Sequence, residues 1–104
     1  MSSLKQRTHP RYECRIPVKI TTVDNTELDG TAINVGVGGI QLESATALTF
    51  NAELKVRFRL PGLDEDTVVD GTVRWIKDGS SGVQFGSLRA RDVWALNQLL
   101  RAST

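Results

Sequence analysis

Cysteine and histidine are nearly absent: 104 residues contain one of each, Cys14 and His9. A single thiol excludes an internal disulfide and fits a reducing compartment, so a cytoplasmic location is expected. One Cys and one His fall short of a cysteine-rich zinc site. No apolar run approaches the roughly 20 residues needed to cross a bilayer, so no membrane insertion is expected. The start, MSSLKQRTHPRYECR, lacks the apolar stretch of a secretory signal. Aromatics make up only 6%, too few to suggest a stacking groove for single-stranded nucleic acid. The net charge of +1 argues against a general duplex-DNA binder. Catalytic sets are missing as well. Cys14 falls on an apolar face, where a thiol is inert. The carboxylate cluster Asp64-Glu65-Asp66 reads as a solvated loop, and there is no P-loop or metal-ligand cluster. No enzyme, metal or cofactor is expected.

The charge that is present is unevenly placed. Lys5, Arg7, Arg11, Arg15 and Lys19 face only Glu13 over residues 5–19, whereas the other segments carry a small acidic excess. That concentration favours an anionic partner for the N-terminal segment. Residues 1–11 show no periodicity and contain Pro10, so they read as an extended, mobile basic arm.

From residue 12 the pattern is that of strands. Cys14, Ile16, Val18 and Ile20 alternate with Arg15, Pro17, Lys19 and Thr21, the signature of a half-buried strand. Pro17 cannot donate to a ladder, which places this strand at or near an edge. Leu28 to Asn34 reads as a second strand and Ile40 to Glu43 as a third. Leu54, Val56, Phe58 and Leu60 alternate with Lys55, Arg57 and Arg59. Val69, Gly71, Val73 and Trp75 share a face in the next strand; Asp78 to Gly82 reads as a turn, and Val83-Gln84-Phe85 as a short return. Phe58, Phe85 and Trp75 all read as core-facing. About six strands with glycine-rich turns suggest a small antiparallel barrel or sandwich. The period then changes: Leu88, Val93, Leu96, Leu99 and Leu100 sit at helical spacing, with Asp92 on the opposite side, predicting a helix over about 88–102 with Ser87 as N-cap.

Two constellations remain. Gly36, Gly38 and Gly39 are followed by a strand, not by the helix that a dinucleotide loop requires. Alone they read as a tight turn or bulge using positive φ. Arg7 and Arg11 are four apart, with Arg15 four further on, and Pro10 discourages a continuous helix. Guanidinium forks pair with phosphate oxygens and with the O6/N7 edge of guanine, and they stack on flat rings. Charge alone is equally consistent with a solvated tail.

Taken in order, Arg7-Thr-His-Pro-Arg11, a strand, and Asn34-Val-Gly36-Val-Gly-Gly39 resemble the PilZ domain family, whose marks are RxxxR and [D/N]xSxxG. The resemblance covers nearly the whole chain. It implies an all-β fold, a six-stranded antiparallel β-barrel over residues 12–104 with the C-terminal helix. It also implies a bacterial receptor for the second messenger cyclic di-GMP. By that resemblance the ligand-binding residues are Arg7, Arg11, Asn34, Gly36 and Gly39, with Arg15 a weaker phosphate contact and Trp75 bordering the site. The motif serine is Gly36 here, which removes a ligand hydrogen bond. Gln6, preceding Arg7, leaves the arm with less guanidinium capacity and favours one ligand molecule over a stacked pair. The resemblance implies an arm that orders over the ligand and acts on a separate, unidentified protein. Two alternatives stand beside this reading: an adaptor of the same fold that no longer binds cyclic di-GMP, and a small barrel that binds single-stranded nucleic acid.

Overall fold

The computed structural model describes residues 11–61 and 63–102. Six strands are β1 (Tyr12–Thr22), β2 (Glu27–Val35), β3 (Gly39–Ser44), β4 (Glu53–Phe58), β5 (Thr67–Lys77) and β6 (Ser80–Phe85), followed by helix α1 (Ala90–Ala102). All ladders are antiparallel, and the sheet closes on itself in the order β1-β2-β3-β6-β5-β4. Alternation drives this arrangement. In β4, Leu54, Val56 and Phe58 are buried while Glu53, Lys55 and Arg57 face water. The inward residues of all six strands, among them Ile20, Val35, Ile40, Leu42, Val73 and Val83, form one core. Each such side chain contributes on the order of 2 kcal/mol by leaving water.

Closure corrects the expectation that β1 lies at an edge. β1 pairs with both β2 and β4. Its ladder with β4 nevertheless starts only at Lys19, so Pro17 lies where the strand has no β4 partner to require its missing N–H. The turn before β6 is also tighter than expected. Only Asp78 and Gly79 form it, with φ of 52° and 82°, a two-residue hairpin of the kind that Asp-Gly favours. Ser80 to Gly82 belong to β6 and pair with Trp75 to Lys77.

Helix α1 begins two residues later than the periodicity suggests, and Ser87 does not cap it. The Arg89 carbonyl accepts the N–H groups of Asp92 (3.0 Å) and Val93 (3.0 Å). Asp92 is not on the solvent side: it is 1% exposed and accepts from Arg89 Nε at 3.0 Å and Nη2 at 3.3 Å. A carboxylate in the first helical turn suits the positive end of the helix dipole, and the guanidinium fork compensates its burial. Arg91 ties the helix to the β4–β5 loop through Glu65 and the Asp66 carbonyl. Ala95, Leu96 and Leu100 are the buried stripe, and Trp94 is 60% exposed.

Candidate functional site

Antiparallel register sets five residues side by side across the barrel wall. Glu13 lies opposite Asn34, Asn34 opposite Gln41, Gln41 opposite Gly82, and Gly82 opposite Trp75. Three register shifts adjoin this row, in β1 between Glu13 and Ile16, in β2 between Ala32 and Asn34, and in β5 between Val73 and Trp75. A bulge inserts one residue and changes which side chain points outward. Ala32 and Val73 face the core, and with Ile33 and Arg74 as the extra residues, Asn34 and Trp75 are turned to the outside. Trp75 is therefore 42% exposed, not core-facing as its spacing suggests, whereas Phe58 and Phe85 are buried. That removes part of the aromatic argument against a stacking surface.

The row is joined by a chain of hydrogen bonds. Asn34 is 6% exposed, so its amide must find partners inside the protein. Its Oδ1 accepts from Arg11 Nε at 2.9 Å and from Arg11 Nη2 at 2.5 Å. Its Nδ2 donates to Gln41 Oε1 at 2.7 Å. Arg11 and Asn34, singled out separately and 23 residues apart, thus meet directly. Gln41 was invisible to sequence reasoning because its role arises from a neighbour on another strand.

The glycines shape the surface beside this chain. A Cβ on Gly39 would sit 2.5 Å from the Val83 carbonyl oxygen, so close strand approach requires glycine there. A Cβ on Gly82 would collide with the Trp75 indole, which lies over that position. Positive φ is not the reason for the motif glycines: among the described glycines only Gly79 adopts it. Gly36 N donates to the Gly39 carbonyl at 2.8 Å, and Phe85 N donates to the Gly38 carbonyl at 2.9 Å, closing the loop against β6.

Arg11, Gly38, Gly39, Arg74, Trp75 and Gly82 are among the residues lining a cavity of about 190 Å³. Sites that enclose drug-sized ligands run to several hundred Å³, so this cavity suits one flat ring with the remainder of a ligand lying outside. Arg74 lines it together with Arg11. Its Nε donates to Gln84 Oε1 (2.7 Å) and its Nη1 to Asn51 Oδ1 (3.3 Å), and no carboxylate pairs with it among the described residues. Sequence reasoning missed Arg74, although its place next to Trp75 was a usable signal.

The remaining residues are placed differently. Arg15 pairs with Glu43 at 3.4 Å and is not part of the cavity lining. Arg7 and His9 lie outside the described residues. Cys14 is half-buried and donates to the Ala32 carbonyl at 3.5 Å; burial first, then the Glu13 charge, raise its thiol pKa above the ordinary value. Larger hollows of about 510 and 730 Å³ lie on the β1–β4–β5 side. Their cations are matched to carboxylates, Lys55 to Asp70 at 2.7 Å and Arg59 to Asp66 at 3.1 Å, which leaves an anion little to bind. Among the described residues no helix is long and apolar enough to cross a membrane, and no group of His, Cys, Asp and Glu could hold a metal ion.

Comparison with solved structures shows where this architecture recurs. The chain is similar to the Bacillus subtilis inhibitor of motility MotI/DgrA, with a TM-score of 0.77 and 19% identity over 95% of this chain and 52% of that one. It is similar to the PilZ domain of Escherichia coli YcgR with c-di-GMP, with a TM-score of 0.75 and 14% identity over 94% of this chain and 91% of that one. Borreliella burgdorferi PlzA in complex with c-di-GMP gives a TM-score of 0.72 and 12% identity over 94% of this chain and 42% of that one. The chain therefore spans about half or less of MotI/DgrA and PlzA. No curated protein sequence matches it significantly. The sequence model of the PilZ domain, however, matches residues 5–102, and a closed six-stranded barrel with a C-terminal helix carries that match, so the chain belongs to the PilZ domain family.

Proposed function

We propose that the protein is a non-enzymatic receptor for cyclic di-GMP that relays ligand binding to a separate protein. The observation that carries this reading is the meeting of Arg11 with Asn34 beside a cavity walled by Trp75 and flanked by Arg74. A guanidinium has five N–H donors in a planar fork, a geometry that suits the Arg11 side chain to a phosphate or a guanine edge. Trp75 offers a face for a purine, worth on the order of 1–3 kcal/mol per stacked base. Arg74 supplies positive charge in the cavity lining. Arg7, outside the described residues, is assigned as the second guanidinium of the motif. Ligand held between the residues around Arg11 and the barrel wall creates the surface that a partner reads. The solved PilZ domain of YcgR with c-di-GMP and PlzA in complex with c-di-GMP support the reading by likeness of fold.

Isothermal titration of the folded chain at near-physiological salt tests it, with GTP and GMP as controls. Saturable binding of cyclic di-GMP, and not of the mononucleotides, is expected. No heat at millimolar cyclic di-GMP overturns the proposal. One observation favours a second reading, an adaptor that has lost the ligand: Gly36 stands where the motif has serine. The absence of any thermal shift with the dinucleotide, together with a co-purifying protein partner, is the outcome that reading expects.

A further inference from the structure

The direction of the hydrogen bonds from Arg11 through Asn34 to Gln41 is forced, and it has a chemical consequence at the far end. A guanidinium donates only. The Asn34 atom facing Arg11 must therefore be its oxygen, and that oxygen takes both Nε and Nη2. The Asn34 NH2 must then face Gln41, which has to answer with its own oxygen. The Gln41 NH2 is left turned away from Asn34. It has no hydrogen-bond partner among the described residues and is not closed off from solvent. The next position in the row is Gly82, overlaid by the Trp75 indole. Arg11, acting through Asn34, thus sets a donor on Gln41, whose strand neighbour Gly82 lies under the indole.

Resting on the receptor reading above, we infer that Gln41 is a specificity-determining residue that selects guanine over adenine. Guanine shows acceptors at O6 and N7, which an NH2 group satisfies. Adenine shows a donor, its N6 amino group, where guanine has O6. Gln41 is not in the cavity lining but pairs with Gly82, which is; in the inferred pose a base stacked on Trp75 turns this edge toward Gln41, and a donor facing a donor leaves both unpaired as water leaves. Arg11 and Asn34 act here as positioning residues. Arg11 fixes which atom of Asn34 faces inward, and Asn34 fixes which end of Gln41 faces the ligand.

The test is titration of the full chain with cyclic di-GMP and cyclic di-AMP, for the natural protein, Gln41→Glu and Gln41→Leu. The readout is the ratio of the two affinities, because the added charge of Gln41→Glu weakens both ligands. Glutamate still accepts from Asn34 but turns an oxygen outward, so the preference for the guanine ligand is expected to fall about tenfold or more. Leucine removes the donor without adding an acceptor, and a smaller fall, roughly threefold to tenfold, is expected. Thermal melting of each variant verifies that the barrel is folded. An unchanged ratio in a folded Gln41→Glu protein that still binds cyclic di-GMP overturns the inference alone. If the natural protein binds neither dinucleotide, the receptor reading fails and the inference falls with it. A second readout uses the Gln41 side-chain amide resonances, which are expected to shift with cyclic di-GMP and to stay in place with cyclic di-AMP.

Discussion

Two walls of the same barrel treat polar groups in opposite ways. On the wall around β1, β4 and β5, cations stand next to carboxylates: Lys19 with Asp29 and Lys55 with Asp70 across neighbouring strands, and Arg57 and Arg59 with Asp66 of the β4–β5 loop. The Asp29 hydrogen bond and charge raise the Lys19 ammonium above its ordinary pKa, so the pair is mutually satisfied. The β4–β5 ladder there runs without a register shift. On the wall around β2, β3 and β6, Arg11 donates to the Asn34 amide oxygen, and Arg74, where β5 adjoins β6, donates to the amide oxygens of Gln84 and Asn51. Bulges turn Asn34 and Trp75 outward. A surface of matched ion pairs has little attraction left for a charged ligand, whereas Arg74, held by amide oxygens and by no carboxylate among the described residues, keeps its own. The smaller cavity is therefore the better candidate site, and size alone would have chosen the other wall.

The sharpest way to break this contrast is Arg11→Ala. Losing charge-assisted hydrogen bonds worth about 1.5–3 kcal/mol each should weaken cyclic di-GMP binding on the order of a hundredfold by titration. An unchanged affinity would remove Arg11 from the site. Gly39→Ala comes next, read as stability. The new methyl group would crowd the Val83 carbonyl oxygen at 2.5 Å, and a loss of about 2 kcal/mol, or a melting temperature lower by roughly 10 °C, is expected. Calorimetry decides this one, and an unshifted transition would show that β3 and β6 separate easily. Trp75→Ala should cost about tenfold in affinity with little change in stability, since the ring is on the outside. Gly36→Ser should tighten binding about fivefold if the hydroxyl restores a hydrogen bond of on the order of 1 kcal/mol. A weaker constant would mean that the loop presents this position away from ligand. The smallest effect belongs to the other wall. Lys55→Met should change stability by less than about 1 kcal/mol, as for other exposed pairs, and leave binding untouched. A loss of binding there would undo the distinction between the walls.

Most of the barrel was readable because strands announce themselves by alternation, and β4 does so without a flaw from Glu53 to Phe58. The bulges were not readable. An extra residue such as Arg74 leaves the local pattern plausible while reversing the direction of everything after it, and Trp75 was placed inside for that reason. Asp92 was placed in solvent with the other charged residues of the helix, yet it is buried and paired with Arg89 three residues before it. Of the site, Arg11 and Asn34 were legible through motifs. Gln41 and Arg74 gain their meaning from neighbours on other strands, which only register reveals.

Register is also what the two-residue turn at Asp78-Gly79 governs. That turn is remote from the cavity, yet it decides which residue of β6 comes to rest beneath the indole. Lengthening it by one residue would slide a serine, Ser81, toward the place of Gly82 and prop the ring up on a hydroxymethyl group. A single added residue at the hairpin tip would thus spoil a recognition surface that begins at the third residue pair along the ladder.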